Sequence, residues 1–175
     1  MKNFHKINNN YKFCKLIILI IVVVGLGQPI CVWADELKVE EKIVLNASSE
    51  AVWALTGGFN ALDRWHPDVM KSTLMGTGKD AGDIRVLTLH DNLTIVERLV
   101  SYDETAMKLQ YRILESPLPI ANYLSSISVK NVDDNRAEVT WQSSFNAVDV
   151  GEEEVKEIIS DIYLTGLDSL KKTFK

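Results

Sequence analysis

Residues 152–174 read EEEVKEIISDIYLTGLDSLKKTF, and this segment organises the rest of the chain. Its apolar residues recur every three or four positions, which is the spacing of one face of an α-helix. A helix of this length makes about six turns and is roughly 35 Å long. Acidic residues begin the segment, and Lys171 and Lys172 end it, which suits the helix dipole. We therefore predict one long amphipathic helix that needs a broad apolar surface beneath it.

The chain before this helix consists mainly of short stretches in which apolar and polar residues alternate. A period of two is typical of strands that bury one face. The predicted strands are 37–45, 69–75, 84–89, 93–100, 107–113, 120–129 and 137–145. After the first strand, Ser48 is expected to cap a short helix, and a second short helix is predicted over 59–65, before Pro67. The predicted fold class is α+β: a curved antiparallel seven-stranded sheet wrapped around the long C-terminal helix.

The first 34 residues have the order of a signal peptide. Met1–Lys15 is basic without an acidic residue, an apolar run from Leu16 to Val24 follows, and Val32-Trp33-Ala34 resembles a cleavage site. We predict cleavage after Ala34, a single domain over 35–175, and a final location in the periplasm or outside the cell. No stable membrane anchor is expected after cleavage. A retained anchor is the alternative, although the apolar run is short for a bilayer span of about 20 residues.

The predicted mature chain is acidic and contains no cysteine. Both cysteines, Cys14 and Cys31, lie in the leader, so the domain is expected to have no disulfide and no thiolate site. Without the four leader lysines, 15 basic residues face 24 acidic ones, a net charge of −9. An acidic domain without a basic cluster binds nucleic acid poorly, so no nucleic-acid partner is predicted. A histidine without a second ligand is not a metal site, and neither metal nor other cofactor is predicted.

Glu97 is the most informative polar residue of the predicted sheet. It alternates with Ile95 and Leu99 on the expected inner face, where an unpaired carboxylate is costly to bury. Two interpretations follow: Glu97 contacts a ligand, or it pairs with Tyr111, Tyr123 or a trapped water.

Five further residues complete the predicted ligand-binding set. Tyr111 and Tyr123 each offer an apolar ring with a polar tip, although core packing is an equal alternative for both. Ser125 and Ser143 are small polar residues on the expected inner face, where they either leave room for a ligand or line a narrow part of the sheet. Trp65 lies near the expected cavity mouth, and its neighbour His66 is expected on a surface loop. No catalytic residue is assigned.

The order of short motifs along the chain resembles the START-like superfamily, also called SRPBCC, and within it the polyketide cyclase/dehydrase and lipid-transport branch. The motifs are Ala51-Val52-Trp53, Phe59, Trp65-His66-Pro67, Gly82 with Arg85, Glu97-Arg98-Leu99, Asp103, Asn122-Tyr123 and Val139-Thr140-Trp141. The resemblance covers residues 37–174. It implies the helix-grip fold, in which the curved sheet and the C-terminal helix enclose an apolar cavity.

Two of these motifs, Glu97-Arg98-Leu99 and Asn122-Tyr123, also resemble stretches of the plant abscisic-acid receptors. There the matching Glu and Tyr line the hormone cavity. The gate loop of the receptors is absent, because His90-Asp91-Asn92 stands at that turn, so a hormone-receptor function is not implied.

The resemblance and the pattern together predict an exported protein that binds a hydrophobic small molecule, either lipid-like, isoprenoid or aromatic. The first alternative is a polyketide cyclase or dehydratase in which Glu97 acts as acid or base and Tyr111 or Tyr123 donates a hydrogen bond. The second is an accessory protein that contacts a periplasmic protein partner, because the chain also resembles the exported MxaD-like accessory proteins of methanol oxidation.

Overall fold

The structure is a computed structural model that describes residues 36–175. The predicted signal peptide over residues 1–34 lies outside the described residues. The elements follow the predicted order. They are β1 (Leu37–Leu45), α1 (Ser49–Thr56), β2 (Val69–Met75), β3 (Ile84–Leu89), β4 (Thr94–Asp103), β5 (Lys108–Glu115), β6 (Ile120–Asp133), β7 (Arg136–Ala147) and α2 (Glu152–Thr173).

The seven strands form one antiparallel sheet in the order β1-β7-β6-β5-β4-β3-β2. Strands β2 to β7 are joined as a meander, and β1 adds to the outside of β7. Buried and more exposed residues alternate along much of the sheet, as at the start of β1, and in β7 the face toward the helix buries Val139, Trp141 and Phe145. The prediction of an α+β helix-grip fold with seven antiparallel strands is confirmed.

Helix α2 buries one face of its 22 residues. The buried residues are Val155, Ile159, Tyr163, Gly166, Leu167 and Leu170. Ile158 and Ile162, which the spacing also placed on this face, are half-buried. Three glutamates occupy the first turn and two lysines the last, as the dipole argument requires. The helix therefore covers the sheet with a continuous apolar stripe.

The connection between β1 and β2 differs from the prediction in its second half. Ser48 caps α1 as expected and accepts a hydrogen bond from the Ala51 N–H at 3.3 Å. The second short helix is only a single 3₁₀ turn, Leu62–Arg64. One reason is that Asn60 and Asp63, within the predicted helix, hydrogen-bond to Ser72 of β2. This fixes the segment against the sheet edge.

Candidate ligand-binding site

An internal cavity of about 140 Å³ lies between α2 and the buried face of the sheet. Its wall is almost entirely apolar. The lining residues are Leu62, His66, Asp68, Val69, Leu87, Leu89, Ile95, Glu97, Tyr111, Ile113, Leu118, Tyr123, Trp141, Ile159, Ile162 and Tyr163. Asp68 is exposed and Leu118 is half-buried, so the cavity reaches the surface beside these two residues.

A larger depression of about 540 Å³ lies against β1, β5, β6 and β7. Its lining includes Lys38, Glu40, Gln110 and Gln142, and it is open to solvent. An open groove of mixed polar character does not remove an apolar ligand from water. The internal cavity is therefore the better candidate, despite its smaller volume.

A buried ion pair stands at the wall of the internal cavity. Arg85 of β3 and Glu97 of β4 are directly paired across the two strands, and their exposed fractions are only 1% and 4%. The Arg85 Nε donates to Glu97 Oε2 at 2.5 Å, and Arg85 Nη1 donates to the carbonyl oxygen of Phe59. The guanidinium carbon lies 4.6 Å from the ring centre of Phe59 and 4.7 Å from that of Tyr111. Two aromatic rings and a carboxylate thus hold the cation in place.

The ionic partner of Glu97 is Arg85. The sequence analysis proposed Tyr111, Tyr123 or a trapped water as that partner. Burial raises the pKa of the Glu97 carboxyl, and the charge and hydrogen bond of Arg85 oppose this shift. Glu97 Oε1 takes part in no hydrogen bond among the described residues, although the side chain lines the cavity. Arg85 Nη2 is buried and has no hydrogen-bond partner in the described part of the chain. The pair therefore retains hydrogen-bonding capacity that the protein itself does not use.

A second group of polar atoms forms a chain of hydrogen bonds behind the cavity. Ser125 Oγ donates to the Gln142 carbonyl at 2.9 Å, so it can only accept from Tyr163, whose hydroxyl is 3.3 Å away. The Tyr163 hydroxyl therefore accepts from Tyr123 at 2.5 Å. The Trp141 indole N–H lies 3.0 Å from the Tyr111 hydroxyl and 3.1 Å from Ser125 Oγ.

This chain of hydrogen bonds gives the wall a fixed geometry. Trp141 stacks on Tyr163 with 4.3 Å between ring centres, which joins the sheet to α2. Burial raises the pKa of Tyr111, Tyr123 and Tyr163 above the ordinary value of a phenol, so all three stay protonated. None of them can serve as a phenolate base at neutral pH.

The predicted site residues divide into two groups in the structure. Glu97, Tyr111 and Tyr123 line the cavity together. Ser125, Ser143 and Trp65 are buried but are not among its lining residues. Ser125 has its hydrogen bonds within the protein, as described above, whereas the Ser143 hydroxyl and the Trp65 indole nitrogen lack a partner among residues 36–175.

His66 is buried beneath α2, so the expectation of a surface loop residue is wrong. Its exposed fraction is 4%, and it lines the cavity. Asp68 N donates to His66 Nδ1 at 3.2 Å, which requires the proton on Nε2, and Nε2–H donates to the Ile162 carbonyl at 2.9 Å. Burial lowers the pKa of the imidazole, partly opposed by the hydrogen bond to Ile162. His66 is therefore a neutral bridge between the β1–β2 connection and the helix.

Gly166 makes the close approach at this bridge sterically allowed. A Cβ at position 166 would lie 2.7 Å from His66 Cδ2, 2.8 Å from Trp65 Cζ3 and 3.1 Å from Trp141 Cζ3. These distances are shorter than a carbon–carbon contact of about 3.5 Å allows. The glycine in the middle of the apolar stripe was the sequence feature that indicated a close packing contact on this face of the helix, although it does not identify the partner segment.

Neither a metal site nor a membrane span is found within residues 36–175. Histidine, cysteine, aspartate and glutamate side chains nowhere gather there in a group of three that could hold a metal ion. No helix of that part of the chain is long and apolar enough to cross a bilayer.

The chain belongs to the polyketide cyclase/dehydrase and lipid-transport family, whose sequence model matches residues 36–175. A solved structure of the protein XoxI from Bacillus cereus is 35% identical, with a TM-score of 0.74 over 78% of this chain and 94% of that chain. A putative uncharacterized protein from Bacillus thuringiensis is 34% identical, with a TM-score of 0.74 over 79% and 98% of the two chains. A comparison with curated proteins gave no match.

More distant structures share only the fold. The Zhui aromatase/cyclase from Streptomyces sp. R1128 is 15% identical, with a TM-score of 0.66 over 79% of this chain and 93% of that chain. A START superfamily protein from Mycobacterium smegmatis is 12% identical, with a TM-score of 0.66 over 80% and 97% of the two chains. The recognition of the START-like superfamily from the sequence is confirmed.

Proposed function

We propose that the protein binds one small, mainly apolar molecule in the internal cavity. The observation that carries this proposal is the cavity of about 140 Å³ itself, enclosed by apolar and aromatic side chains beneath α2. A protein cavity of about 150 Å³ lined by apolar side chains takes up benzene. The volume thus fits a single aromatic ring or an isoprenoid fragment of similar size. Of the predicted ligand classes, this volume favours the aromatic and the small isoprenoid ones over a lipid-like molecule with a long chain.

Binding of toluene tests this proposal directly. Toluene is titrated into the protein in sealed tubes, and binding is followed by amide chemical shifts and by the free energy of unfolding. A ligand at 100 times its dissociation constant stabilises the folded state by about 2.7 kcal/mol. We expect saturable shifts at residues of the wall, such as Leu87 and Ile159.

Two neighbouring residues of β5 supply a matched pair of variants for this titration. Ile113 lines the cavity, whereas Leu114 is exposed. Ile113→Trp places an indole where the ligand would lie and is expected to abolish toluene binding. Leu114→Trp adds the same side chain outside and is expected to leave binding unchanged. Equal binding by both variants, or no binding by the unmodified protein, contradicts the proposal.

An enzymatic function is the second candidate, and it depends on one observation. Glu97 lines the cavity, and burial raises the pKa of its carboxyl, which suits a general acid or base. The cavity is smaller than the roughly 300–1,000 Å³ of pockets for drug-sized ligands, so a multi-ring polyketide does not fit. A dehydratase for a single-ring substrate is the version that the volume admits. Turnover that persists in Glu97→Gln would exclude it.

We also propose export, with the signal peptide removed after Ala34 and the domain released into the periplasm or the medium. The basic and apolar order of residues 1–34 supports this. Mass spectrometry of the protein from an exported fraction tests it, with a mature N-terminus at Asp35 as the expected result. A protein partner in that compartment, as for MxaD-like accessory proteins, stays a prediction; cross-linking in the exported fraction would test it.

A further inference from the structure

One atom of the cavity wall is an acceptor without a donor. Glu97 Oε2 receives the Arg85 Nε–H at 2.5 Å, but Oε1 has no partner among the described residues. The Arg85 charge at this distance favours the carboxylate form, in which Oε1 can only accept a hydrogen bond. Glu97 is 4% exposed and borders the cavity, so a donor for Oε1 is available from what occupies the cavity, either a water molecule or a ligand that displaces it.

Among the other polar groups of the wall, the Tyr111 hydroxyl accepts from Trp141 and keeps its own proton uncommitted, but it makes no hydrogen bond to Glu97 within residues 36–175. The protons of the remaining groups are used elsewhere. The Tyr123 hydroxyl proton is used by Tyr163, and the His66 Nε2 proton by the Ile162 carbonyl. The Trp141 N–H is shared between the Tyr111 hydroxyl and Ser125 Oγ. The hydrogen bonds of these three groups are directed away from Glu97, which leaves its Oε1 free.

The charges around the cavity exclude ionised ligands. Glu97 and Asp68 are the charged side chains of the lining, and Arg85 is already matched by Glu97. A carboxylate in the cavity would find no free cation among the lining residues and would lie close to Glu97. A cation would find Glu97 already paired with Arg85, and the other anion of the lining, Asp68, lies at the exposed mouth rather than inside the cavity. The aromatic faces are already in use, as Trp141 is stacked on Tyr163. Either ion would lose its hydration without a partner of its own.

We propose that the ligand is a neutral molecule of single-ring size that bears one hydroxyl group, and that this hydroxyl donates to Glu97 Oε1. The inference rests on the proposed function, because it names the chemical class of the molecule in the same cavity. Glu97 is then the residue that selects a phenol or cyclic alcohol over a hydrocarbon of the same shape.

Four probes of nearly equal size test whether the unmodified protein selects a neutral molecule with a hydroxyl group. Phenol carries the hydroxyl, toluene replaces it by a methyl group, benzoate is an anion and benzylammonium is a cation. Dissociation constants come from calorimetric or chemical-shift titration at pH 7. We expect phenol to bind at least as tightly as toluene, although phenol is the better hydrated of the two. We expect benzoate and benzylammonium to bind at least about tenfold more weakly than phenol.

The double variant Arg85→Met with Glu97→Leu tests whether Glu97 is the residue that selects the hydroxyl group. It removes both charges together, which leaves no buried ion unpaired. We expect its preference for phenol over toluene to fall by about tenfold or more, because the acceptor is gone. Circular dichroism and the toluene affinity show whether its cavity is intact; if the variant does not fold, the four probes in the unmodified protein decide.

The outcomes separate this inference from the proposed function. If toluene binds more tightly than phenol, if either ion binds as well as phenol, or if the folded double variant keeps its preference, the hydroxyl inference is overturned while cavity binding stands. If none of the four probes binds, both fail. If phenol is preferred and the folded double variant loses that preference, both hold.

Discussion

Removal of one member of the Arg85–Glu97 pair should destabilise the protein much more than removal of both. The two side chains are 1% and 4% exposed, and neither has an ionic partner besides the other within residues 36–175. Breaking such a buried pair from one side typically costs about 3–5 kcal/mol, whereas replacing both members by apolar residues is often neutral. We therefore expect Arg85→Met and Glu97→Leu each to lose about 3–5 kcal/mol of unfolding free energy, and the double variant to lose much less than their sum.

The two single variants should respond differently to pH. After Arg85→Met, the isolated Glu97 carboxyl can take up a proton and become neutral, so the destabilisation shrinks as the pH falls from 7 to 5. After Glu97→Leu, the guanidinium keeps its charge at every accessible pH, and it retains only the Phe59 carbonyl and two aromatic faces. The loss of unfolding free energy caused by Glu97→Leu should therefore not shrink on acidification, whereas the loss caused by Arg85→Met should.

Urea denaturation at pH 7 and pH 5 measures both effects, with four proteins forming a double-mutant cycle. If the slope of unfolding free energy against urea concentration is the same in all four proteins, their folded and unfolded states are similar enough for the free energies to be compared. A coupling energy below about 1 kcal/mol would refute the reasoning, because that is the range of an exposed pair. So would a destabilisation by Arg85→Met that grows as the pH is lowered.

Three further predictions concern the contacts under α2 and the wall of the cavity. Gly166→Ala should destabilise by about 1–2 kcal/mol in urea denaturation, because the overpacking penalty against His66 and Trp65 exceeds the helix propensity of alanine. The free energy of unfolding should fall as the pH drops below about 6.5, by up to about 1.4 kcal/mol per pH unit from His66, because its folded pKa is lowered and the unfolded chain binds the proton first. His66→Gln should flatten this slope in urea denaturation over the same pH range. Ser125→Ala should cost about 1–3 kcal/mol in urea denaturation, because it leaves the Trp141 N–H and the Gln142 carbonyl each short of a partner.

The sheet and the long helix were predictable because their patterns are periodic and local. Alternation along β1 and β7 marks the buried face, and the three-and-four spacing of α2 marks its stripe. Helix and strand identity depend on these short periods alone. The part of the fold without a period, residues 57–68, was the part predicted least well.

The partner of Glu97 was not predictable, because it depends on register rather than on pattern. Arg85 and Glu97 meet because the turn between β3 and β4 pairs these two positions, and a slip of one residue would put one of the two on the opposite face. An arginine in line with Leu87 and Leu89 was the available indication that a buried anion had to lie opposite. His66 was missed for a similar reason, since only Gly166, about 100 positions away in the chain, indicated the contact.

The size of the cavity follows from how the aromatic residues meet, and no sequence pattern encodes that. Trp141 and Tyr163 stack across the space between sheet and helix, and Tyr123 and Ser125 hold the Tyr163 hydroxyl in place. These residues occupy much of the interior, so the remaining space is the small volume beside Glu97. Because their hydrogen bonds are made within the protein, the wall cannot rearrange without leaving buried polar groups unpaired. If the cavity binds the proposed ligand, the same network limits that ligand to a single ring, and it leaves the Glu97 carboxylate as the acceptor of the wall that can select a hydroxyl.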